Sequence, residues 1–181
     1  MGTRGDDVIV GSVKSDVING LGGNDIICAL GGNDQVSGGP GDDFIDGGEG
    51  NDDLNGDDGN DQLVAGDGDD VVHGGNGLDR INGNGGGDKL YGDGDNDLIR
   101  GDAGDDYLNG GSGDDTLYGY EGDDDLIGED GNDRIYGEGG NDGMAGGNGD
   151  DYLNGGFGND VCNGGSGTDQ APGCEVVAQV P

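Results

Sequence analysis

The chain has 181 residues, 50 of them Gly, and its 41 acidic side chains against 6 basic ones give a formal net charge of -35. That sign excludes a nucleic-acid binder, which needs a basic face, and docking on an anionic membrane surface. Only 28% of residues are hydrophobic, too few for an ordinary core, so either acidic disorder or a fold that recruits many cations remains.

Met1-Gly2-Thr3 begins no signal peptide, and no apolar run reaches the roughly 18 residues of a membrane span. From Gly2 the chain falls into rows of nine without insertion or deletion as far as Pro172, nineteen rows in all. The first row contains the tripeptide Arg4-Gly5-Asp6 at ordinary row positions, which gives it no special role. The second departs from the pattern: Val13 and Lys14 stand where small residues are expected, and Lys14 brings a positive charge. Regular rows follow, such as Gly20–Cys28, Gly38–Asp46 and Gly110–Tyr118. Leu78 and Arg80 flank Asp79, Asp95 replaces a fourth-place Gly, and the pattern fades at Cys162, Ala171 and Pro172. Through all nineteen rows the sixth place is Asp and the eighth is apolar, from Ile9 and Ile18 to Leu153, Cys162 and Ala171. Disordered low complexity does not hold such a phase; a solenoid does.

Each row predicts a six-residue turn and a strand of about three residues, with the eighth place inward and the seventh and ninth outward. Two rows make one coil of 18 residues, so the fold is all-β, with two short-stranded parallel sheets back to back and coils roughly 4.8 Å apart. Stacking then aligns the sixth-place carboxylates in two files. One holds Asp7, Asp25, Asp43, Asp61, Asp79, Asp97, Asp115, Asp133, Asp151 and Asp169. The other holds Asp16, Asp34, Asp52, Asp70, Asp88, Asp106, Asp124, Asp142 and Asp160. Like charges so spaced repel unless a cation lies between them. Ca²⁺ suits oxygen ligands in adaptable geometry, Mg²⁺ suits them less well, and Zn²⁺ lacks ligands with one His and three scattered Cys.

The pattern Gly-Gly-x-Gly-x-Asp-x-(aliphatic)-x resembles the RTX, or haemolysin-type, calcium-binding nonapeptide repeat. The resemblance implies a right-handed parallel β-roll over residues 2–172, followed by a C-terminal cap or tail at 173–181. It also implies a fuller site, with each Ca²⁺ between two turns 18 residues apart and touching the sixth-place Asp of both. Backbone carbonyls would complete the shell; for Asp43 and Asp61 these belong to Gly39, Gly41, Gly56 and Asp58. The two files leave room for up to about 17 ions, fewer if Lys14 spoils the gap between Asp16 and Asp34. One buried aliphatic per row cannot offset the ordering of nine residues, so metal binding has to drive folding.

Cys162 and Cys174 lie 12 residues apart across the last turn, where a disulfide is expected, the alternative being two buried or idle thiols. Cys28 falls at an outward place and reads as an unpaired surface thiol. The single His73, also outward, reads as solvated, and Tyr118, Tyr136 and Tyr152 as rings stacked on a sheet surface. A disulfide and low cytosolic calcium both point to a secreted, extracellular product whose leader is absent from this sequence. The expected function is a non-catalytic calcium-binding module, a monomer with no nucleic-acid partner and no membrane insertion. Its partners besides calcium ions are the rest of a larger secreted protein or a cell-surface molecule. The alternative is a calcium-dependent adhesin or ice-binding surface, for which the fifth place offers Asn24, Asp42, Asn60, Asn132 and Asp150 but the third place lacks a file of Thr. No His-centred catalytic constellation exists, which argues against an enzyme.

Overall fold

The computed structural model describes residues 1–179. It is a parallel β-solenoid of about nine turns with two sheets and no helix. Strands are numbered in chain order. Sheet I holds β1 (Val8–Ser12), β3 (Ile26–Leu30), β5 (Phe44–Glu49), β7 (Gln62–Asp67), β9 (Arg80–Gly85), β11 (Leu98–Ala103), β13 (Thr116–Glu121), β15 (Arg134–Gly139) and β17 (Tyr152–Phe157), side by side in that order. Sheet II holds β2 (Val17–Asn19), β4 (Gln35–Ser37), β6 (Asp53–Asp58), β8 (Val71–Asn76), β10 (Lys89–Gly94), β12 (Tyr107–Ser112), β14 (Asp125–Asp130), β16 (Gly143–Asn148), β18 (Val161–Ser166) and β19 (Val176–Gln179). Every chain neighbour lies in the opposite sheet, so the polypeptide winds once around the core for each pair of strands.

Register follows the 18-residue coil. Ile27 pairs with Ile45 and Ile45 with Leu63, while across sheet II Leu90 pairs with Leu108. The eighth-place side chains therefore stack in two columns, and Ile27, Leu54, Leu90, Leu117, Ile135 and Leu153 are wholly buried. These two columns are the core.

Most strands run for six residues, twice the three expected. They begin at the seventh place and continue through the third place of the next row, as in Phe44–Glu49. Alternation persists through the glycines, so the first place is also inward; Ala29 and Ala65, which replace Gly there, are fully buried. First-place Gly has a steric reason, since a Cβ on Gly38 would overlap Asp43 Oδ2. Fourth-place Gly has another: Gly77 has φ 127°, and a Cβ there would overlap the Gly59 carbonyl. Asp95 adopts φ 71° at the same place, in the left-handed region that Asp enters more readily than most residues.

The turns join the ladder. Gly41 N–H donates to Asp58 O at 2.7 Å and Gln62 N–H to Asp43 O at 2.9 Å, so coil-to-coil bonding runs around the corners. At the C-terminal end the last row makes a single bridge, Tyr152 to Gln170, in place of a strand. The tail then adds β19 beside β18, and Cys162 is joined to Cys174 by a disulfide with Cα atoms 5.9 Å apart. The final two residues of the expected tail, 180–181, lie outside the described residues. Among the described residues no helix is long and apolar enough to cross a membrane.

Candidate metal centre

The sixth-place Asp ends each turn, immediately before a strand begins. Its main-chain N–H donates to Oδ1 of the Asp 18 residues later: Asp43 to Asp61 and Asp61 to Asp79, both at 2.7 Å. The chain of bonds extends from Asp7–Asp25 at 2.8 Å to Asp151–Asp169 at 3.1 Å in one file, and from Asp16–Asp34 at 2.7 Å to Asp142–Asp160 at 3.0 Å in the other. The structure thus brings all nineteen predicted carboxylates into the two expected files.

One oxygen of each is thereby explained; the other is not. In the sixteen Asp residues from Asp25 to Asp160, Oδ2 is buried and has no hydrogen-bond partner. Buried polar atoms almost always find partners, and a buried charge without one is more costly still. These residues are 0 to 4% exposed.

The electrostatics carry the same message. Burial pushes the Asp97 carboxyl up to about 8, against a lowering by the Asp79 N–H, with the charges of Asp79, Asp115 and Asp95 adding to the rise. Asp61, Asp106 and Asp115 are raised to about 7, and Asp43, Asp70 and Asp133 to about 6, in each case chiefly through burial. With nothing but protein around them, these groups hold protons near neutrality. A cation at the same place favours the ionised form instead.

The termini differ. Asp7 Oδ2 accepts from Thr3 N–H at 2.6 Å and from Thr3 Oγ1 at 2.8 Å. Asp16 Oδ2 is bonded likewise by Ser12, at 2.7 and 2.8 Å. Asp169 is half-buried. Lys14, exposed at the fourth place of row two, does not displace Asp34, whose carboxylate is buried like its neighbours. Nor do Leu78 and Arg80 disturb Asp79, and Leu78 N–H accepts the usual partner, donating to Asn60 Oδ1 at 3.0 Å.

Around the pair Asp43 and Asp61, Gly39 and Gly41 have φ 100° and 142°. Their N–H groups donate to the carbonyls of Gly56 at 3.2 Å and Asp58 at 2.7 Å, which leaves each of those oxygens one lone pair. Among the described residues no three His, Cys, Asp or Glu side chains converge on one point. An ion between two coils therefore meets two carboxylates and must complete its shell from backbone carbonyls. Such an all-oxygen, irregular donor set fits a hard cation of adaptable coordination, Ca²⁺ before Mg²⁺, and offers nothing to Zn²⁺.

Two features escape the sequence reading. Fifth-place side chains accept from the main chain one coil later, as in Asp114 Oδ1 from Asn132 N–H at 2.8 Å and Asn132 Oδ1 from Asp150 N–H at 3.0 Å. Asp42 and Asp114 are held below the usual carboxylate range by such bonds from Asn60 and Asn132. The Asn and Asp side chains of this column are thus occupied by their own backbone. His73, expected to be solvated, instead stacks on Tyr91 with ring centroids 4.6 Å apart and bonds Asp93 at 2.9 Å. Its neighbour 18 residues on is what the single-row view omits.

A comparison with curated proteins finds no match. A family model described as the RTX calcium-binding nonapeptide repeat (4 copies) matches in nine overlapping stretches, from 1–36 and 29–63 through to 118–153 and 136–171. With its repeats matched almost end to end, and its parallel solenoid lined by paired acidic files, the chain belongs to the RTX calcium-binding nonapeptide repeat family.

Proposed function

We propose that this chain is an extracellular, non-catalytic module that folds and is stabilised when many Ca²⁺ ions bind between its stacked turns. The observation that carries the reading is the double file of buried, partnerless Asp Oδ2 atoms from Asp25 to Asp160. Each ion would bridge the sixth-place Asp residues of successive coils, with carbonyls such as those of Gly39, Gly41, Gly56 and Asp58 completing six ligands. Nineteen carboxylates in two files give a ceiling of about 17 ions. Seven gaps in each file are flanked on both sides by partnerless oxygens, and these are the strongest sites. Because the unfolded chain offers no such paired geometry, binding free energy becomes folding free energy. The Cys162–Cys174 disulfide and the need for abundant calcium both support an oxidising, calcium-rich compartment.

The test is a calcium titration followed by circular dichroism and by ion stoichiometry on the same sample. The expected outcome is a cooperative gain of β signal from a disordered metal-free chain, with well over ten ions bound. An equal β content in excess EDTA and in millimolar Ca²⁺ at neutral pH would overturn the proposal.

A further inference from the structure

The two outer faces of the roll differ in charge. On sheet II, the side chains that project outward include Asp53, Asp57, Asp93, Asp125 and Glu129 against Lys89 alone. On sheet I, the outward acids Asp46, Asp102 and Glu138 are matched by Arg80, Arg100 and Arg134. A chain of net charge -35 therefore carries one face that is neutral and bears both signs. Charge alone predicts a monomer, but the charge is unevenly spread.

The neutral face is also the apolar one. At its N-terminal end Val8 and Val10 are 74 and 63% exposed, and Ile26 and Leu30 stand beside them, 47% exposed each. Toward the other end Tyr118 stacks on Tyr136 and Tyr120, with centroids 4.8 and 5.6 Å apart, and Tyr152 tilts against Tyr136 at 5.8 Å. Stacked rings are already ordered, so docking on them costs little side-chain entropy. Tyr and Arg are the residues that dominate protein interfaces. Arg134, Tyr136 and Tyr152 border a cleft of about 530 Å³ that can receive a side chain.

We propose that this outer face of sheet I docks a second copy of the chain, face to face about a two-fold axis. Two arguments choose that occupant. An equal number of Arg and acidic side chains makes the face self-complementary, whereas sheet II repels its own copy. Nine strands at roughly 4.8 Å by six residues at roughly 3.3 Å cover roughly 700–800 Å², which is what one partner contributes to a stable interface.

The test is sedimentation equilibrium in saturating Ca²⁺, with circular dichroism reporting the fold on the same samples. Wild type is expected to be dimeric at micromolar concentration. Tyr136→Asp on sheet I should weaken the dimer at least about tenfold, while Tyr107→Asp on sheet II leaves it intact. Cys28, half-buried on the same face, gives a readout that needs no substitution: its reaction with a maleimide should slow severalfold as wild-type concentration rises. A folded wild type that stays monomeric, a Cys28 rate independent of concentration, or equal loss with Tyr107→Asp overturns the inference. Loss of the fold itself in Ca²⁺ would instead show in the dichroism and would count against the calcium reading.

Discussion

The first coil and the middle of the roll use the same Asp for different purposes. In the first coil, Thr3 and Ser12 bond Oδ2 of Asp7 and Asp16 through both their N–H and their hydroxyl. From Asp25 onward the second place carries Leu, Gly or acidic residues among others, and Oδ2 is left buried without a partner. The first coil thus satisfies its carboxylates from its own atoms, while the middle coils require something the polypeptide does not supply. An identical motif letter conceals two electrostatic situations, and the difference can be broken experimentally.

Acid gives the largest effect. In the metal-free chain the folded carboxyls of Asp43, Asp61, Asp97 and Asp115 are raised to about 6, 7, 8 and 7 from an unfolded 3.8. The folded state therefore binds more protons than the unfolded one between those values. That contribution to stability is complete below about pH 4 and is lost as pH rises through 6 to 8. In EDTA, moving from pH 8 to pH 5 should restore much of the β signal, with protons standing in for cations. With calcium present the direction reverses, because protons compete for the same oxygens. A metal-free dichroism spectrum that does not change between these pH values would contradict the electrostatic account.

Next comes a matched pair of substitutions. Asp97→Asn removes a charge shared by two interior gaps, whereas Asp7→Asn touches one gap whose carboxylate is already bonded by Thr3. The calcium midpoint of folding should rise about tenfold or more for Asp97→Asn, the scale on which lost support at a metal site is felt. For Asp7→Asn it should move only slightly. Equal shifts would erase the distinction between the first coil and the interior.

Much of this was legible in the sequence because the period never slips. Sixth-place Asp and eighth-place aliphatics gave the coil length, the parallel sheets, the two files and the core. What stayed hidden lies in residues whose side chains are silent or whose partners are a full coil away. Six-residue strands were missed because first-place Gly has no side chain to show that alternation continues; only Ala29 and Ala65 hinted at an inward position. His73 meets Tyr91 by adding 18 to its number, a step applied to Asp and not to the aromatics. Thr3 and Ser12 were visible as hydroxyls four residues before Asp7 and Asp16, but their role needed the closed turn.

The C-terminal end contrasts with the open middle in another way, through the disulfide between Cys162 and Cys174. Closing a loop of this separation restricts the unfolded chain by about 3 kcal/mol in the entropic model. Cys174→Ser should lower calcium-saturated stability by that amount, read from the denaturant midpoint. The loss should be concentrated in hydrogen exchange at β16 and β18, leaving the first coil unaffected.

The smallest effect separates the two columns of Asn and Asp that adjoin at every corner. Asn132 accepts from Asp150 N–H and donates both its main-chain N–H and its side-chain amide to Asp114 Oδ1, at 2.8 and 3.0 Å. These bonds are exposed, so Asn132→Ala should cost only about 1 kcal/mol. It removes no ligand, and the number of calcium ions bound per chain should stay the same. If stoichiometry fell with Asn132→Ala, the fifth place would belong to the metal centre, and the division of labour between caps and ligands would have to be redrawn.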